Sequence, residues 1–448
     1  MIARLLVLLL VLLHGAVSRV GAAQETEDPS STAIKGADLA LLGSVRAIAQ
    51  RVEVLRQEKF VRPPIAVRTP DHMREVAAEI RALNVVRRER LTARGRAWSD
   101  LGFGASSSPE SLYLALAGDL AGIGFDPEGN RLLVAPDRLT DSDFAPRKGE
   151  DDAPATVLLM TGVRVDEPVV CHLLVHVRQR ERGGGDWLAE TTDGLLARAA
   201  WAEGEANVVA IHYLFGGMGV ADDVLEEQLD PGDILEGALL PPGLGDLAAP
   251  VAALVRFVYE DGFAAATQVY RQGGWEGLGQ AMQRRTTTRD LIHAGGEPLV
   301  AVALSVEPPG PARGLALRDE DTLGEQGVIV LVSTVTGKDS LALQAGDGWV
   351  ADRLYRWEPE DPAVPGGVTL WVTRWATDDD AADFDYSVGR MVEARFPGRP
   401  PVALATGERV LQTPDRIIRH TRQGREVRLQ ISTRELDALP PGALTDAH

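Results

Sequence analysis

Two histidines four positions apart in an otherwise apolar stretch, His172 and His176 within residues 167 to 181, constrain this chain more than any other feature. Residues i and i+4 share one face of a helix, so both imidazoles point the same way from adjacent turns and can hold one ion between them. The flanks predict such a helix: Asp166 suits its cap, Pro168 its first turn, and Gly183-Gly184-Gly185 its end. Val169, Val170, Leu173, Leu174 and Val177 make the rest of the segment apolar, which predicts burial. Imidazoles in such a place are either hydrogen-bonded within a core or bound to a metal.

Residues 193 to 215 predict a second helix, capped by Thr191 or Thr192, stopped by Gly216-Gly217, and carrying Ala202-Glu203-Gly204-Glu205-Ala206-Asn207. A carboxylate from this helix would supply a third metal ligand. Glu205 lies about 200° round the helix from Glu203, on another face. His212, nine positions beyond Glu203, is expected to be structural or at the surface. The one cysteine, Cys171, has no partner for an intramolecular disulfide; it stands about 100° round from His172, so burial as a small hydrophobe is expected.

With these two helices the chain resembles the gluzincin-like metallopeptidases of the HExxH…E type, in particular a secreted bacterial and archaeal group. There the first helix reads HELxHALQDQ and the second carries an aspartate followed by A-R-x-A-L-x-E-G-D/E-A. Here the first gives His172-Leu173-Leu174-Val175-His176 through Gln179, and the second Asp193 and Ala197-Arg198-Ala199-Ala200-Trp201-Ala202-Glu203-Gly204-Glu205-Ala206. Further blocks resemble that group at Gly124-Phe125-Asp126-Pro127, Tyr259 to Phe263, Gly273-Gly274-Trp275 and Thr286 to His293. The likeness continues at Gly348-Trp349 to Arg353 and from Trp371 through Trp375 to Phe384, so that it spans roughly residues 40 to 395. The resemblance implies a zincin-like core, with His172, His176 and Glu203 as zinc ligands and Asn207, one turn beyond Glu203, placed to orient a histidine from behind.

The departures are as informative. In an active member the residue after the first histidine is a glutamate that takes a proton from metal-bound water; Leu173 can neither take nor deliver one. Only Gln179 survives from the end of the first helix motif, and Ala294 replaces the proline expected after His293. The expectation is therefore a metallopeptidase-like fold without proteolysis, acting as a binding or structural module, with no catalytic residue assigned. An alternative is a divergent zinc hydrolase whose base comes from the Gly-, Pro- and Asp-rich stretch 216 to 250 or from Glu260 and Asp261. A third is a structural protein whose histidines are bonded within the core.

The N-terminus, Arg4 followed by the apolar run Leu5 to Leu13 and small residues through Ala22-Ala23, predicts a secretory signal peptide over 1–23, too short for a stable membrane span. No cysteine at the cleavage site supports a lipid anchor. Export to a periplasm or outside the cell follows. The formal charge of −19 becomes −21 once Arg4 and Arg19 are removed, a surface that repels nucleic acid and anionic membranes and leaves a protein or peptide as the expected partner.

The remaining pattern predicts an α+β protein. A polar linker occupies 24–36, a mainly helical zincin-like domain around a small sheet 37–295, a smaller α+β domain 296–436, and a tail 437–448. In the first domain Ala47, Val52, Val54 and Leu55, then Val76, Ile80 and Leu83, recur at helical spacing, and Asp126 to Asn130 forms a turn into a strand at Leu132–Ala135. Strands are expected at 155–160, 299–306, 328–333 and 368–374, with a hairpin of 417–421 and 426–431 about Gln423-Gly424. Asp378-Asp379-Asp380 after Thr377 lacks the glycine and distal glutamate of a calcium loop and reads as the first turn of a helix running to Phe396.

Overall fold

The computed structural model describes residues 39–118, 122–139, 167–184, 188–215, 243–284, 286–295, 304, 315–361 and 363–433. The expected signal peptide, the Asp166 cap, the strands at 155–160 and 299–306 (bar Leu304) and most of the 216–250 stretch fall outside them.

The N-terminal half is helical around a small sheet, as patterned. It comprises α1 (Leu39–Arg56), β1 (Ile65–Arg68), α2 (Asp71–Val85), α3 (Arg88–Leu101), α4 (Pro109–Ala117), β2 (Ile123–Asp126) and β3 (Arg131–Val134). The three strands run in the order β1-β3-β2, with β1 parallel and β2 antiparallel to β3. The core face of α1 is Leu41, Val45, Ile48, Ala49 and Val52. Of the residues expected to mark helical cores, Ala47, Val54, Val76 and Ile80 are instead exposed. Apolar residues at spacings of three and four recur on more than one stripe here, and the stripe that faces neighbours is decided by packing.

Next come α5 (Glu167–Gln179), continued by a π-helical turn Arg180–Gly184, and α6 (Thr192–Phe215). Then follow α7 (Ala249–Arg256), a π-helical turn Phe257–Asp261, α8 (Gly262–Arg284) and α9 (Thr288–Ile292). Thr191 accepts a hydrogen bond from Gly194 N at 3.2 Å, the cap expected at the start of α6. Helix α6 packs against α5 on one side and α8 on another. The second contact is close because both helices present glycine: a Cβ on Gly204 would stand 2.3 Å from the Gly262 carbonyl oxygen, and one on Gly262 2.5 Å from that of Ala200. Glu203 is thereby held deep in the helical layer.

The C-terminal half is a seven-stranded antiparallel sheet in the order β4-β5-β6-β10-β9-β8-β7. Its elements are β4 (Leu315–Asp321), α10 (Gly324–Thr336), α11 (Asp339–Gly346), β5 (Trp349–Pro359), β6 (Val368–Trp375), α12 (Asp378–Arg395), β7 (Val402–Ala403), β8 (Arg409–Gln412), β9 (Arg416–Gln423) and β10 (Glu426–Thr433). The 368–374 strand and the hairpin at Gly424 are where the pattern put them. Helix α12 starts on a capping box in which Thr377 and Asp380 bond each other's backbone N–H, so the three aspartates occupy its first turn. The strand expected at 328–333 is a correction: these residues belong to α10. The run Val328-Ile329-Val330-Leu331-Val332 is buried almost all round, so its helical period vanishes, and β-branched composition alone favours a strand. Gly337, at φ 65°, ends the helix in the left-handed conformation.

A single apolar core runs from α1 to β10, with a smaller cluster of Leu315, Tyr355, Trp357, Val368, Leu370 and Val372 on the sheet. A buried polar knot joins the two halves at the N-terminus of α6. Thr192 donates from N and Oγ1 to the two Asp321 oxygens, each at 2.7 Å. Asp193 Oδ1 accepts from Thr288 N at 2.9 Å and Oγ1 at 2.7 Å. Asp352 accepts from Leu323 N, Gly324 N, Trp349 Nε1 and Trp371 Nε1 at 2.9–3.2 Å. Arg94 of α3 bonds Asp319 at 2.8 Å and stands 3.4 Å from Asp321. Gly324 has φ 75° and leaves room for no side chain, since a Cβ would lie 1.9 Å from Asp193 Oδ1.

Candidate metal centre

Helices α5 and α6 bring His172, His176 and Glu203 together. His172 Nε2 lies 3.1 Å from His176 Nε2 and 2.9 Å from Glu203 Oε2, and His176 Nε2 lies 3.4 Å from Glu203 Oε1. Ligands about 2.0–2.1 Å from a tetrahedral zinc are separated by about 3.3 Å; here one ligand atom from each residue lies within 4.8 Å of the other two, close enough to converge on one ion. The group is the one cluster of three ligand-type side chains able to hold a metal ion among the described residues. All three side chains are buried, at 1–6 % exposure, which is unusual for so much polar chemistry without a compensating cation.

The tautomer of His176 is set by a residue that spacing alone did not single out for a role. Gln179, one turn further along α5, accepts from His176 Nδ1 at 2.8 Å, while its own amide nitrogen donates to Ala202 O and Glu205 Oε2, each at 2.9 Å. Those two acceptors fix the amide's orientation, so Nδ1 carries the proton and the lone pair of Nε2 faces the cluster. Glu205 therefore contributes from its own face of α6, as a backing group that also accepts from Arg56 at 2.6 Å and Arg182 at 2.9 Å. The i+3 relation between His176 and Gln179 was the available signal.

Asn207 is fully buried behind His172 and favours its protonated form, yet neither Asn207 amide atom nor His172 Nδ1 has a hydrogen-bond partner of good geometry. Glu203 Oε2 is likewise without a true hydrogen bond. Burial opposes ionisation of Glu203, but the two imidazoles outweigh it and hold the carboxyl well below its usual range. Burial also lowers the His172 pKa, whereas for His176 the Glu203 carboxylate and Gln179 overcome burial and raise it. A charged carboxylate facing two imidazole nitrogens is a cation site, for a proton or for a metal.

The residue in the general-base position, Leu173, is 6 % exposed and belongs to the apolar core. Other nearby carboxylates are engaged elsewhere: Glu58 is held by Arg178 at 3.1 Å and Arg182 at 3.0 Å, and Glu260 by Arg256 at 3.0 Å on the surface. Cys171 is fully buried beside Val209, and burial pushes its thiol pKa up, as suits a small hydrophobe. His212 is buried and packs edge-on against Tyr270 at 5.1 Å and Trp275 at 5.2 Å, away from the ligand set. Gly274, at φ 59° and ψ −155°, breaks α8 just before Trp275.

His176 opens onto a cleft of about 760 Å³ whose wall is formed by α1, the end of α5, α6 and α8. No described helix is long and apolar enough to cross a membrane.

The profile of a family described as a domain of unknown function (DUF8575) matches residues 313–439, which contain β4 to β10 and exclude the His–His–Glu group. No curated protein and no solved structure matches the chain.

Proposed function

We propose that this chain is an exported, metallopeptidase-like protein with a zincin-like core that holds zinc through His172, His176 and Glu203 and does not cleave peptides. The observation that carries the metal is the convergence of three buried ligand side chains, one atom of each within 4.8 Å of the others, with His176 Nδ1 already committed to Gln179. A bound zinc would polarise a carbonyl or acidify a water there. Leu173 cannot take the proton, and Glu205, Glu58 and Glu260 are each bound to arginine. The cleft is accordingly a binding site, or a remnant kept for structure.

Replacing Leu173 with Glu tests this reading. The wild-type chain is expected to leave an unstructured protein substrate intact with zinc present, and Leu173→Glu to cut it in a chelator-sensitive way. Wild-type cleavage that stops on His172→Ala would show that a base is supplied from elsewhere and overturn the inactive assignment.

A further inference from the structure

In a chain of net charge −19, the cleft beside His176 is lined by Arg56, Arg81, Arg180, Arg182 and Arg198 against Glu58 and Glu276. Two of the arginines are paired from behind, since Arg56 and Arg182 share Glu205 and Glu58. Arg180 and Arg198 are exposed and have no acidic partner among the described residues. Arg198 precedes Trp201 and Ala202 by three and four positions, so all three lie on the one face of α6 that lines the cleft.

The floor is short of acceptors. Arg56 is 3 % exposed and lies 4.5 Å over the Trp275 ring, and its Nε and Nη1 have no hydrogen-bond partner; Trp201 Nε1, also buried in the wall, has none either. Orphaned donors of this kind are rare in a finished core and indicate a partner not yet supplied. Burial lowers the Arg56 pKa in spite of Glu205, so its cation is incompletely compensated. Donors therefore outnumber acceptors from rim to floor, and a carboxylate is the complementary group: planar, doubly accepting and matched to the guanidinium fork.

We propose that this cleft binds a carboxylate-rich ligand, an acidic peptide or a small polycarboxylate, gripped at the rim by Arg180 and Arg198 above the Arg56 and Trp201 floor. The inference deepens the binding-module reading and needs the metal only if the ligand also reaches His176.

The test is calorimetric titration of the full chain, zinc-loaded and chelator-treated, with blocked tetraglutamate, tetraglutamine and tetralysine peptides and with citrate. Tetraglutamate is expected to bind at least ~10-fold tighter than tetraglutamine, to weaken as salt rises, and to lose ~10-fold or more in Arg180→Ala/Arg198→Ala. Both arginines are exposed, so that variant should melt like the wild type. Tighter binding of tetraglutamate than of citrate identifies a peptide ligand, and the reverse a small polycarboxylate. Retained binding after chelation separates the anion site from the metal reading, which zinc content alone then decides. Equal or absent binding of tetraglutamate and tetraglutamine, or undiminished affinity in a double variant that melts normally, would overturn the proposal.

Discussion

Asp193 and Glu203 stand ten residues apart on α6 and are both buried, at 4 % and 2 % exposure, yet they sit in opposite electrostatic settings. Asp193 faces other acids, Asp352 and Asp290; burial pushes its pKa up to about 7, and Thr288 donates two hydrogen bonds to one of its oxygens. Glu203 faces two imidazoles, which hold it ionised, and one of its oxygens has no hydrogen-bond partner. The first carboxyl is bonded to Thr288 of α9, inside the knot that joins the two halves. The second belongs to a group that reaches a cleft through His176. Burial of an acid therefore does not by itself mark a site; unfilled bonding capacity next to accessible space does.

If that contrast holds, damage to the knot costs stability and damage to the triad costs ligand. The largest loss is expected from Asp352→Ala, which leaves two backbone N–H groups and two indoles without acceptors; urea unfolding should show about 5 kcal/mol less stability. Asp193→Asn addresses charge. A carboxyl raised from 3.8 to about 7 adds stability that is fully present below pH 3.8 and lost as pH climbs through about 7. That is a slope approaching 1.4 kcal/mol per pH unit, on the order of 4 kcal/mol in all. The stability of wild type relative to Asp193→Asn should fall by that order between pH 4 and 7, and a pH-independent difference would remove Asp193 from the account.

Gly262→Ala tests the helix crossing that seats Glu203. A methyl 2.5 Å from the Ala200 carbonyl oxygen forces α6 and α8 apart, so a loss of about 2–3 kcal/mol is expected together with weakened zinc binding. Glu203→Gln removes the carboxylate that the two imidazoles hold ionised, so the metal-free chain should also lose stability above the usual carboxylate range. Its thermal shift with zinc should vanish, and a zinc response equal to wild type would break the comparison.

The site was more legible in the sequence than its surroundings. Spacing of four places His172 and His176 together, and a glutamate on the next helix completes the group, because helical periodicity is local and survives any packing. Gln179 stayed without a role because the direction of its amide depends on Ala202 and Glu205, which only the α5–α6 contact brings near. Val328 to Ser333 misled for a related reason: a helix buried on nearly every side has no polar face to reveal its period. The aspartates at 193, 321 and 352 carry no local signal, since their partners lie up to about 130 residues away along the chain. Likewise, α1 and α2 each offer apolar residues on more than one face, and only packing shows that Val54, Val76 and Ile80 lie outside.

The most direct test is zinc content, measured by mass spectrometry on the chain purified without a metal-binding tag, then exposed to zinc and dialysed. About one zinc per chain, lost in His176→Ala, is the predicted result. No retained zinc, or the same content in His176→Ala, would contradict a metal centre at His172, His176 and Glu203.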